Sequence, residues 1–156
     1  MLVMNKLAKL IAILKKQKLT LAIAESCSGG YASYLLTQKA GSSKVFKGGL
    51  VVYSLEAKNE FFRIPFSILK KTQGVSKEIA ATLAIKVRKK LDSDIGSSIV
   101  GFAGPVAPKG KKGTVLIAIS DKASTVLIET IIKGKREVVR KKASQLLIEL
   151  LYTKLR

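Results

Sequence analysis

The segment Glu25-Ser26-Cys27-Ser28-Gly29-Gly30 puts a serine where an apolar run gives way to a helical pattern, in a chain that contains no histidine. Backbone N–H groups converge at a helix start and favour negative charge, so a serine presented there is a candidate nucleophile beside an anion site. Its proton needs an acceptor other than imidazole. Tyr53 and Lys58, at and just beyond the end of the next apolar run, are the candidates, because burial or a neighbouring cation brings a lysine amine into the range where it accepts a proton. Each residue also has an ordinary use: serine caps helices, tyrosine edges strands, and lysine is solvated. Cys27 reads as a small buried residue and, being the only cysteine, has no internal disulfide partner.

These residues need a scaffold, and the hydrophobic pattern supplies one. Residues 3–17 carry Leu7, Leu10, Ile11 and Leu14 at three- and four-residue spacing and predict an amphipathic helix. Leu19 to Ala24 is a short apolar run that predicts a buried strand, followed by the Ser-Gly turn and a helix over about 29–38. Ala40-Gly41-Ser42-Ser43 breaks that helix, and Val45 to Tyr53 reads as a second strand. Ser54 caps a short helix over 55–62 that Ile64-Pro65 ends, and Ser76 caps a longer one running to Leu91. Strands are expected at 97–102, 113–120 and 125–132, with a last helix over 136–154. The fourth and fifth strands are joined too closely for a crossover helix, so they form an antiparallel hairpin.

That order predicts one domain spanning 1–156: a three-layer α/β/α sandwich around a mixed, mostly parallel sheet of about five strands. Ligands of such sheets gather beyond the carboxyl ends of strands. Three segments qualify, at 25–30, 53–58 and 101–105.

Composition bounds the function classes. Apolar residues make up 47% of the 156, spread in short runs, which suits a globular chain with a core of its own. No run approaches the roughly 20 residues of a membrane helix, and the N-terminus has no uninterrupted apolar stretch of a signal peptide, so no membrane partner and a cytoplasmic location are expected. The net charge of +19 suggests nucleic acid or an acidic partner, but only five of the 29 basic residues are arginine and the lysines are scattered. A solvated lysine-rich surface accounts for such a distribution, and a nucleic-acid partner is not expected. A basic non-enzymatic binding module is the competing reading. It gains if Lys86, Lys89, Lys90, Lys109, Lys111 and Lys141 share one face.

Several motifs in series carry a resemblance. Ala24-Glu25-Ser26-Cys27-Ser28-Gly29-Gly30, Ala40-Gly41-Ser42-Ser43, Tyr53-Ser54-Leu55-Glu56-Ala57-Lys58, Gly74-Val75-Ser76, Gly101-Phe102-Ala103-Gly104-Pro105 and Gly113-Thr114-Val115 resemble the C-terminal domain of the competence- and damage-inducible CinA proteins. The resemblance runs in order from about residue 4 to 152. It implies a three-layer sandwich and hydrolysis of the carboxamide of nicotinamide mononucleotide, giving nicotinate mononucleotide and ammonia in pyridine nucleotide salvage. Two-domain members carry a nucleotide-pyrophosphatase domain, for which this chain has no room; it is similar to the stand-alone deamidases.

The resemblance implies Ser26 as nucleophile, Lys58 as base, and Tyr53 as proton relay or guide for the leaving ammonia. Backbone N–H groups around Ser28 and Gly29 are expected to receive the oxyanion, and Ser28, Gly30, Ser42 and the Gly101, Ala103, Gly104 loop to contact ribose or phosphate. It implies no metal, no organic cofactor and a homo-oligomer. A different pyridine or phosphoribosyl amide is a further substrate class. The chain departs from the family pattern at Leu55, where an asparagine is usual, at Val106-Ala107-Pro108-Lys109, and at Lys133-Gly134-Lys135-Arg136 in place of Pro-Gly-Asp-Arg.

Overall fold

The short apolar runs become the strands of one sheet in the computed structural model, which describes residues 2–156. β1 (Leu21–Glu25), β3 (Ile95–Gly101) and β4 (Thr114–Ser120) are buried almost end to end, as interior strands covered on both faces must be. β2 (Phe46–Val51) and β5 (Thr125–Ile131) are the exposed edges, and the order is β2-β1-β3-β4-β5. β1 pairs in parallel with both β2 and β3, and β4 runs against both β3 and β5. Only β4 is therefore reversed, and the hairpin to β5 is closed by Asp121, whose Oδ1 accepts from the N–H groups of Ala123 and Ser124 at 2.8 Å each.

Period-two alternation splits the strand residues between two cores. Leu21, Ile23, Ile99, Ile117 and Ile119 face α1 (Leu2–Gln17), α2 (Tyr31–Thr37) and α6 (Arg136–Leu155), where Leu7, Leu10, Leu14, Leu147 and Leu151 are buried. Ala22, Ala24, Val100, Leu116 and Ala118 face α3 (Leu55–Phe62), α4 (Phe66–Thr72) and α5 (Lys77–Lys90), packed through Phe62, Leu69, Ile79, Leu83 and Val87. Three layers result, with Ser54 and Ser76 capping α3 and α5 as their positions predict: their Oγ atoms accept from Ala57 and Ile79 N–H at 3.0 and 3.1 Å. Among the described residues no helix is long and apolar enough to cross a membrane.

α4 is the element the sequence pattern does not announce. Pro65 reads as a stop after α3, but its φ of −59° and missing N–H equally suit the entry to a helix, and it precedes α4 directly.

The close seat of α5 on β3 rests on Gly96. A Cβ there would lie 2.1 Å from the Ala84 carbonyl oxygen and 2.6 Å from Arg88 Cβ. Gly96→Ala is expected to cost about 1–3 kcal/mol, because backbone and not a flexible side chain must move. A urea midpoint unchanged from the parent would contradict this packing.

Candidate active site

The nucleophile candidate sits one residue beyond β1. Ser26 N–H still donates to the Ile99 carbonyl of β3 at 3.0 Å, which extends the ladder and fixes the serine backbone before the chain turns. The turn is closed by Gly29 N–H on the Ser26 carbonyl at 3.0 Å, and Gly30 enters α2 at φ +93°, a conformation that favours glycine.

Glu25 builds that turn from underneath. Its carboxylate is wholly buried; Oε2 accepts from Ser28 Oγ (2.7 Å) and the N–H groups of Gly30 (3.0 Å) and Ala32 (3.1 Å), and Oε1 from Ser33 N–H (2.8 Å) and Oγ (2.6 Å). The positive end of α2 is thus neutralised by the chain's own anion. The anion site expected at this helix start is filled, and Ser28 Oγ is committed to Glu25. In the turn, the N–H groups of Cys27 and Ser28 are the ones with no acceptor among the described residues. They are the donors left for an oxyanion next to Ser26.

An amide in place of this carboxylate would point an NH₂ at groups that themselves donate. Glu25→Gln is expected to cost about 2–4 kcal/mol of stability and to lower activity by loosening the Ser26 turn. Urea unfolding and turnover measured together check it; a variant with parental stability would show that the buried charge is dispensable.

Lys58 approaches from the second turn of α3. It is 2% exposed, and Ser26 is 7% exposed. Its Nζ lies 2.9 Å from Ser26 Oγ, 3.0 Å from the Val52 carbonyl and 3.3 Å from the Tyr53 carbonyl. Gly74 packs beside it at φ +73°, where a Cβ would touch Lys58 Cε and Nζ at an ordinary 3.5 Å but crowd Leu55 Cδ2 at 2.8 Å. Burial disfavours the ammonium and lowers the pKa from 10.5 to about 8. A neutral amine has two hydrogens and one lone pair. With the hydrogens on the two carbonyls, the lone pair is left for the Ser26 hydroxyl proton.

Ser26 and Lys58 open onto a cavity of about 350 Å³, beyond the carboxyl ends of β1, β2 and β3. Leu55, Val75, Phe102, Ala103 and Val106 give it an apolar side, and Gln73, Tyr53 and Arg136 a polar one. Arg136 comes from the first turn of α6. It donates to the Gly104 carbonyl at 2.6 Å and to the Tyr53 hydroxyl, while Arg140, one turn on, donates to the Ser28 carbonyl at 3.1 Å. Two guanidiniums on one helix face therefore tie together the loops that carry the site. Cys27 also lines the cavity, but burial pushes its thiol up to about 11, so the thiolate is disfavoured beside the serine.

The sequence matches the CinA C-terminal domain family over residues 4–155. The chain belongs to this family. It is 40% identical over 149 residues to a Bacillus cereus (strain AH187) relative named for competence and damage induction, covering 94% of this chain and 36% of the relative. It is 40% identical over 127 residues to a CinA-like protein of Cytophaga hutchinsonii, covering 80% of this chain and 30% of that one. The chain thus spans about a third of the length of the curated relatives it matches. Among solved structures, the competence or damage-inducible protein from Enterobacter asburiae superposes with a TM-score of 0.93 at 29% identity, covering 99% of this chain and 98% of the other. The competence damage-inducible protein A from Klebsiella pneumoniae subsp. pneumoniae MGH 78578 gives 0.93 at 26% identity, covering 98% and 96%.

Within this CinA-type domain the residues singled out from sequence are divided by the fold. Ser26, Lys58, Tyr53, Gly101, Ala103 and Gly104 line the cavity; Ser28, Gly29, Gly30 and Ser42 do not. Ser42 is buried in a single 3-10 turn, Ser42–Lys44. Gly101 is required by packing, since a Cβ would stand 2.4 Å from the Thr114 carbonyl oxygen. Tyr53 touches Lys58 through its carbonyl, and its hydroxyl turns to Arg136 at the mouth. Ser26 and Lys58, already in direct contact, leave the phenol no gap to bridge. Sequence reasoning passed over Glu25 and Arg136 as site residues. The signal for Arg136 is its retention where Lys133-Gly134-Lys135-Arg136 stands in place of Pro-Gly-Asp-Arg. Among the described residues no three His, Cys, Asp or Glu side chains gather as metal ligands.

Proposed function

We propose that this domain is a serine amidohydrolase that converts nicotinamide mononucleotide to nicotinate mononucleotide and ammonia. The observation that carries the reading is the 2.9 Å contact between two buried side chains, Ser26 Oγ and Lys58 Nζ, at the floor of a cavity open to a small molecule. A lysine whose burial lowers its pKa supplies what a histidine-free chain otherwise lacks.

Neutral Lys58 takes the Ser26 proton as Oγ attacks the carboxamide carbon. The carbonyl oxygen becomes an oxyanion facing the Cys27 and Ser28 N–H groups, a contribution of about 3 kcal/mol per donor. Lys58 then gives its proton to the amide nitrogen, the C–N bond breaks, and ammonia leaves an ester on Ser26. Water attacks that ester with Lys58 again as base, freeing the carboxylate and restoring the hydroxyl. The apolar side of the cavity suits an aromatic ring, and Arg136 at the mouth places a fixed cation where a nucleotide phosphate would extend.

The reading is tested by ammonia release from nicotinamide mononucleotide, its dephosphorylated nucleoside and a panel of other phosphoribosyl amides. Turnover of the nucleotide above the nucleoside is expected. Release from another phosphoribosyl amide but none from nicotinamide mononucleotide would keep the dyad and discard the substrate; no release from any amide would discard both.

A further inference from the structure

The charge excess finds a focus at the end of the sheet opposite the cavity. Lys47 at the start of β2, Lys122 in the β4–β5 turn, and Arg88 and Lys89 on the last turn of α5 converge around a cleft of about 490 Å³. Lys89 also lines a second cleft of about 340 Å³, with Arg63, Lys86 and Lys90 at its edge and Phe61 48% exposed within it. The two clefts adjoin through Lys89 and make one basic track. Strand length puts it roughly 15–20 Å from Ser26.

Two features separate this track from a generally basic surface. Basic residues in the last turn of α5 complement the helix dipole, which accounts for Arg88, Lys89 and Lys90. It does not account for Lys47 and Lys122, which arrive from other elements. Arg88 is further distinguished by its Nε, the one buried side-chain nitrogen or oxygen among the described residues without a hydrogen-bond partner. Two carboxylates, Asp92 and Asp94, share the first cleft with four cations; Thr20 N–H and Oγ, at 2.8 Å each, hold Asp94 as the anion, so the lining keeps a positive excess of two. The second cleft has no carboxylate in its lining.

We propose that this track binds single-stranded nucleic acid, its phosphates on Lys47, Arg88, Lys89 and Lys122 and a base stacked on Phe61. A groove with cations along its length and one exposed aromatic face fits a strand whose bases are free to stack; a duplex keeps its bases away from Phe61. The six lysines singled out from sequence do not share one face: Lys86, Lys89 and Lys90 lie on α5, Lys109 and Lys111 in the loop beside the active-site cavity, and Lys141 on α6 in the other layer. The track is independent of the amidohydrolase site and uses none of its residues.

Fluorescence anisotropy of a labelled twelve-nucleotide thymidine strand against the full chain tests this. Binding is expected to weaken with salt at a slope of about −3 in log–log form if four phosphates are engaged. Lys47→Ala/Lys89→Ala/Lys122→Ala, all exposed positions, is expected to weaken it tenfold or more. Lys9→Ala/Lys141→Ala/Lys142→Ala removes the same charge from exposed sites on the opposite layer and is expected to change it less than twofold. Phe61→Ala is expected to weaken it at least fivefold, and ammonia release to be unchanged in all three. Equal losses in the two triple variants, tighter binding of a duplex of the same length, or binding of tripolyphosphate but not of the strand would each overturn the proposal.

Discussion

Lys58→Met is expected to cut ammonia release by about 10³–10⁴-fold while substrate affinity changes only a few-fold. Methionine keeps an unbranched stem in the same slot but offers no lone pair of amine basicity to the Ser26 hydroxyl. The parent's pH profile belongs to the same expectation. The active form is the free amine, so log kcat/KM rises with unit slope up to about pH 8 and is level above it. The residual rate of the variant lacks that inflection.

Stability supplies a second readout. The folded protein binds the Lys58 proton more weakly than the unfolded chain, at about 8 against 10.5, so this group's contribution grows more favourable as pH rises between those values. Its cost is fully present below about pH 8 and gone above 10.5, an amplitude of about 3 kcal/mol. Parent minus Lys58→Met stability should climb by about that amount from pH 7 to 10.5. At pH 7 the gain from removing the buried charge is partly offset, because the Val52 and Tyr53 carbonyls lose their donor at about 1 kcal/mol each. Urea titrations at the two pH values check it, and a flat difference would mean that Lys58 is not held away from its ordinary pKa.

Ser26→Ala is expected to have the largest effect on turnover, about 10⁴-fold or more, because it removes the oxygen proposed to form the ester. The fold should be retained. Ser26 Oγ pairs with Lys58 Nζ and makes no other hydrogen bond among the described residues, and the turn's geometry rests on Glu25 and on backbone bonds at Ser26 N–H and C=O. Substrate affinity should hold within a few-fold, since the cavity walls and Arg136 are untouched.

What the sequence disclosed follows from how local each feature is. Ser26 and Lys58 were legible because each sits at a boundary written in neighbouring residues: an apolar run ending in a Ser-Gly turn, and Ser54 capping the helix that carries the lysine. The hairpin of β4 and β5 was legible from loop length, and the layers from alternation. The role of Glu25 was not, because an acid at a strand end becomes a buried helix anchor only once α2 folds back over it. Arg136 reaches Tyr53 across more than eighty residues, a contact that no local pattern encodes. That contact also redirects the Tyr53 hydroxyl away from the dyad. α4 stayed hidden because Pro65 marks a helix start and a helix stop with the same chemistry.

The most direct test is side-by-side ammonia release from nicotinamide mononucleotide by the parent and by Ser26→Ala, at pH 8.5 where Lys58 is mostly neutral, with both proteins matched in folding by circular dichroism. With Ser26 as nucleophile and Lys58 as base, steady release by the parent and a loss of at least about 10³-fold in the variant are expected. Equal turnover by the two proteins would contradict it.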